Sequence, residues 1–116
     1  MTARLEMYRG DSATIVVEIT GAQLEGAVLE GAQLRFTAKR SINDEDADAA
    51  ITKTSDDGQI TVADNVVTIT IDPEDTADMN RRSLVWDLQV TDASGQVVTV
   101  AIGNLRILAD VSRTAP

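Results

Sequence analysis

From Leu84 to Val90 every second residue is apolar: Leu84, Trp86, Leu88 and Val90 fall on one side of an extended chain, and Val85, Asp87 and Gln89 on the other. A period of two is the mark of a strand with one buried face, and no helix presents these four residues on one stripe. Similar segments recur along the chain. Ile15–Thr20 is β-branched and ends at Gly21. Leu34–Lys39 alternates, with Leu34, Phe36 and Ala38 on its apolar side. Ala50–Lys53 and Gln59–Val62 are short candidates, and Val66–Ile71 places Val67, Ile69 and Ile71 together. Turn residues separate them: Asp56–Asp57–Gly58, Ala63–Asp64–Asn65 and Asp92–Ala93–Ser94–Gly95. After the last turn, Gln96–Ile102 returns as a strand. Gly103 interrupts it, which predicts a bulge or bend, and Leu105–Val111 resumes it.

Two segments have helical character. Asn43–Ala50 is short, acidic and alanine-containing. Pro73–Asn80 can form one turn, with Asp72 as cap and Pro73 in the first position. Short strands with turns every eight to twelve residues predict an all-β fold. The expectation is an immunoglobulin-like antiparallel β-sandwich of about seven to eight strands with at most one short helical turn. It forms one domain over residues 1–116, with residues 1–8 as an N-terminal strand or arm. A chain of 116 residues buries roughly two-thirds of its unfolded surface, so a sandwich core needs no staples. That matters because the sequence has no cysteine, hence no disulfide or thiolate site, and no histidine, the commonest metal ligand and neutral-pH acid–base group.

The chemistry-bearing motifs are incomplete. Asp44, Asp46 and Asp48 alternate like the start of a calcium loop, but the sixth position is Ala49 and the twelfth Ser55, where glycine and glutamate belong. Glu74 and Asp75 are neighbouring carboxylates on an acidic chain, and their default role is a solvated one. No nucleophile motif or glycine-rich phosphate loop is present. No catalytic residue, metal ligand, cofactor or small-molecule substrate is expected. Arg9–Gly10–Asp11–Ser12 spells an adhesion tripeptide but reads as a turn into the next strand. Gly21–Arg35 holds three five-residue units beginning Gly-Ala, too few to close even one coil of a pentapeptide solenoid; a loop or short ribbon is expected.

Charge and aromatic content weigh against two further alternatives, an acidic DNA-mimic inhibitor and a host-glycan-binding module, without removing them. The formal charge of −9 repels nucleic-acid backbones. An acidic inhibitor that mimics DNA needs carboxylates arrayed on one face, whereas here they scatter over turns. Tyr8, Phe36 and Trp86 are the only aromatic residues, a poor supply for stacking glycans, and an exposed Trp86 would be needed to revive that reading. No run of residues is long and apolar enough for a signal peptide or a membrane span, so an origin inside a cell is expected, with no membrane partner.

The order of motifs resembles that of a widespread family of tailed-phage virion proteins related to the N-terminal domain of phage baseplate upper proteins. The resemblance runs from Tyr8 to Arg113. Arg9–Gly10–Asp11 stands ahead of a strand; Leu29–Glu30–Gly31–Ala32 precedes the strand with Phe36, Ala38 and Lys39. Ile51–Thr52–Lys53 precedes the Gly58–Gln59–Ile60 turn, and Ile71–Asp72–Pro73–Glu74–Asp75–Thr76 matches a strand end with its turn. Trp86–Asp87–Leu88–Gln89–Val90, Gly95–Val100 with Gly103, and Ala109–Asp110–Val111–Ser112–Arg113 complete the series. The resemblance implies an immunoglobulin-like sandwich and a structural role in a virion assembled in the host bacterial cytoplasm, in tail or baseplate. A capsid ornament is the alternative. Baseplate upper proteins continue into a helical linker and further domains where this sequence ends. The implied partners are other virion proteins, with the chain as a homo-oligomer or part of a symmetric ring.

The expected contact surface comprises the N-terminal strand and the Gly21–Gly31 segment. Thr2–Tyr8 alternates, lacks proline and can add to a neighbouring sheet, which makes Leu5 and Met7 candidate interface residues. Leu24, Val28 and Leu29 are more apolar than a free loop needs, and they complete the candidate set.

Overall fold

The computed structural model describes residues 2–8, 10–41, 49–76 and 82–108. Among the described residues, eight strands form two sheets: β1 (Thr2–Tyr8), β2 (Ala13–Glu18), β3 (Gln33–Lys39), β4 (Ile51–Thr54), β5 (Ile60–Ala63), β6 (Val66–Ile71), β7 (Arg82–Thr91) and β8 (Val97–Leu108). The larger sheet has the order β1-β8-β7-β3-β4 and the smaller the order β2-β6-β5. This is the strand order of an immunoglobulin-type sandwich, with the first strand carried on the larger sheet. The sequence's alternation is obeyed: Leu84, Trp86, Leu88 and Val90, with Leu34, Phe36 and Ala38 beside them on the same sheet, share one core with Val67, Ile69 and Ile71 of the other. Phe36 and Trp86 touch, with ring centroids 5.5 Å apart and planes inclined by 34°.

Three details differ from the sequence reading. All neighbouring strands are antiparallel except β1, which runs parallel to β8 over its full length, from Thr2 opposite Ile102 to Tyr8 opposite Leu108. Gly103 does not break β8. The irregularity lies three residues earlier, where Leu88 faces Ala101 and Gln89 faces Thr99, leaving Val100 as the extra residue. Both Val100 and Ala101 are buried, so the bulge turns two consecutive apolar side chains inward. Two short helical turns exist among the described residues rather than one. α2 (Pro73–Thr76) is the expected turn, while α1 (Gly21–Leu24) lies in the repetitive segment. Thr20 caps α1 in a reciprocal box: its hydroxyl accepts from Gln23 N–H at 3.3 Å, and Gln23 Oε1 accepts from Thr20 N–H at 2.7 Å. Of the acidic segment Asn43–Ala50, residues 43–48 lie outside the described residues, and Ala49 and Ala50 are not helical.

Candidate interaction surface

Asp72 and Asp75 sit on the turn that follows β6, and Lys53 sits on the inward face of edge strand β4, in line with buried Ile51. Lys53 is only 6% exposed, and its ammonium requires anionic partners at that depth. Nζ lies 2.7 Å from Asp75 Oδ2 and 3.4 Å from Asp72 Oδ2, with Gln59 Oε1 at 3.4 Å. Burial by itself pushes the lysine pKa down. The hydrogen bond to Asp75 and the charges of Asp75 and Asp72 outweigh it, and the net shift is upward. Asp75 Oδ2 also accepts from Asp72 N–H at 2.7 Å. The expected cap is therefore reversed: Asp75 reaches back to Asp72, while the Asp72 carboxylate is turned to the buried ammonium. Thr76, fully buried, accepts from Gly10 N–H at 2.9 Å, tying the same turn to the bend before β2, where Gly10 has φ +76°. Three motifs far apart in sequence thus meet at one end of the sandwich.

A second polar joint fixes the opposite turn. The Asp92 carboxylate accepts from Ser94 Oγ at 2.7 Å, Gln96 N–H at 2.9 Å, Ser94 N–H at 3.0 Å and Val28 N–H at 3.4 Å. The Ser94 hydroxyl is the leading cause of a pKa below the usual carboxylate value, with the backbone donors adding to it. Gln23 Nε2 donates to Val100 O and Gln96 Nε2 to Glu25 O, each at 3.2 Å. These bonds lay the Gly21–Gly31 segment against the β7–β8 hairpin.

This packing decides where the expected contact residues stand. Met7 is 8% exposed and belongs to the core, because β1 pairs with its own β8 rather than with a neighbour. Leu24 and Leu29 are half-buried and pack on the same core. The side chain of Leu5 lies outside the described residues. Val28, 59% exposed, is the one member of the expected set whose described side chain is open to solvent. Gln23 and Asp92 hold the segment down, which turns Leu24 and Leu29 toward the core and leaves Val28 in solvent.

Other surfaces emerge that the sequence did not single out. On the outer face of the larger sheet, a trough of 290 Å³ is lined by Thr37, Lys39, Val85, Asp87, Ile102 and Asn104, with Trp86 and Gly103 in its floor. Trp86 is 3% exposed, so its indole offers no platform for a sugar ring. Its N–H is buried and meets no acceptor among the described residues, and being inaccessible it has no reach into the trough. On the smaller sheet, β2 is an edge strand whose outer face carries exposed Thr14, Val16 and Glu18. Among the described residues no group of three or more acidic side chains is arranged to hold a metal ion, and no helix is long and apolar enough to cross a membrane. Scanned against known protein families and against curated proteins, the sequence matches none.

Proposed function

We propose that this chain is a non-enzymatic structural protein of a tailed-phage virion, a tail or baseplate component that binds other virion proteins. The observation that supports it most is the use made of its polar motifs. Gly10, Lys53, Asp72, Asp75 and Thr76 belong to the segments that carry the resemblance to phage virion proteins, and they meet in a joint that holds the sandwich's end. Their charges are spent on one another. A sandwich whose described turns are tied down by hydrogen bonds and ion pairs is suited to repeating contacts in an assembly, where each neighbour must meet the same shape. The test is the protein content of purified particles from cells producing the chain. Stoichiometric copies are expected in intact virions; their absence, with soluble chain left in the lysate, overturns the reading. Separated tails and heads then distinguish a tail component from a capsid ornament.

A further inference from the structure

The smaller sheet ends in an edge that lacks the usual protections. β2 reads Ala13–Thr14–Ile15–Val16–Val17–Glu18, with no lysine, no proline and no bulge. Natural edge strands are commonly blunted by one of these, since unpaired N–H and C=O groups recruit another strand. Val16, at its middle, is 62% exposed.

Which backbone groups are open follows from the ladder. Ile19 N–H donates to Asn65 O at 2.8 Å, and the register pairs Glu18 with Val66 and Val17 with Val67. In an antiparallel pair both polar groups of a residue point to the same side and the side alternates. Ile19, Val17, Ile15 and Ala13 therefore bond to β6. The opposite strand agrees, since Thr70 N–H donates to Gln59 O, away from β2. The N–H and C=O of Thr14, Val16 and Glu18 point outward, and β2 has no second neighbour among the described residues.

These three residues are self-complementary. We propose that the β2 edge binds the β2 edge of a second copy, antiparallel across a two-fold axis at Val16, joining the two small sheets into one. In that register Val16 faces Val16 of the other copy, and Thr14 faces Glu18. All three pairs present their open backbone groups to each other. No like charges are opposed, a β-branched pair occupies the centre, and a hydroxyl meets the carboxylate at each flank. Ile15 and Val17 meet their counterparts on the inner face, extending the core side of the sheet. A two-fold isologous contact is also the commonest closed assembly. This inference rests on the reading of the chain as an assembly component, and it specifies the self-contact.

The experiment is sedimentation of the full chain over a range of concentrations at low and high salt. A monomer–dimer equilibrium is expected, and it strengthens with salt, because two chains of formal charge −9 repel until screened. Val16→Lys places two ammonium groups face to face and weakens the dimer by about tenfold; Val16→Glu does the same. Val16→Thr keeps a β-branched residue and keeps the dimer. An equimolar mixture of the Lys and Glu variants restores a mixed dimer, read by native mass spectrometry. Unchanged melting temperatures show that the variants fold, as a side chain this exposed allows. A wild-type chain that stays monomeric at every concentration and salt overturns the proposal, as does a Val16→Lys variant that dimerises like wild type. A monomeric wild type that instead binds a basic strand-forming peptide assigns the edge to a different partner. A monomer that is nonetheless stoichiometric in particles overturns the dimer and leaves the virion role standing.

Discussion

Lys53 Nζ and Asp75 Oδ2 lie 2.7 Å apart, joining an edge strand of one sheet to the turn that leaves the other. The pair is asymmetric. Lys53 is buried, whereas Asp75 keeps about a fifth of its side chain in solvent. Removing the acid leaves a buried charge with only the longer contacts to Asp72 and Gln59; removing the base leaves a carboxylate that water can reach. Asp75→Ala is expected to cost about 2 kcal/mol, since it also frees the Asp72 N–H, and Lys53→Met about 1 kcal/mol or less. Urea denaturation of both variants measures the difference. A larger loss for Lys53→Met contradicts the asymmetry. Because the folded pKa of Lys53 is raised, its contribution is fully present below the unfolded lysine pKa, about 10.4, and is lost as pH climbs through the folded value. Wild type is thus expected to lose stability in that alkaline window more steeply than Lys53→Met.

Asp92 governs the acid side. Its pKa is depressed in the folded state, chiefly by the Ser94 hydroxyl and then by the Gln96 N–H. Stability from this group is present above the unfolded aspartate pKa, about 3.9, and falls as pH drops through the folded value. Asp92→Asn removes that dependence while keeping one acceptor. Thermal melts of wild type and variant between neutral pH and strong acid should converge at the acid end. Parallel curves rule out Asp92 as a contributor.

Trp86 fills the core beside Phe36, so Trp86→Ala leaves a cavity and is expected to cost about 3–5 kcal/mol. Trp86→Phe keeps an aromatic ring and discards an N–H that has no acceptor among the described residues, and its cost falls to about 1–2 kcal/mol. As Trp86 is the sole tryptophan, its emission reports the site directly. A folded-state spectrum at short wavelength that shifts red on denaturation is expected; water-like emission from the native chain places the indole outside.

Thr76 tests the joint between the turn and the bend before β2. Thr76→Val preserves shape in a fully buried position and deletes the acceptor for Gly10 N–H. A loss of about 1 kcal/mol is expected, with faster hydrogen exchange at the Gly10 amide. Exchange at wild-type rate shows that the hydrogen bond carries no weight.

What the sequence by itself determined was which segments extend and which face of each turns inward. Leu84, Trp86, Leu88 and Val90 report their strand because alternation is a local property, written in neighbours two residues apart. The turns at Gly58 and Gly95 were equally local, each needing a positive φ that glycine adopts without strain. Even the overlooked α1 turn had a readable signal, threonine three residues before Gln23. Alternation also placed Lys53 on the face of Ile51, yet it could not name the partner. Only the tertiary structure brought Asp75 across to that ammonium, set Gly10 against Thr76 sixty-six residues away, and held the Gly21–Gly31 segment down through Gln23 and Asp92. Pairing was decided there too. Thr2–Tyr8 alternates the same way whether it joins a neighbour or its own β8. Its parallel place beside β8 depends on which edge the folded sandwich leaves within reach, and so does the open edge of β2. Local periodicity fixes the face a strand presents; long-range contact chooses its neighbour, because hydrogen-bonding groups along a strand edge are the same for every sequence.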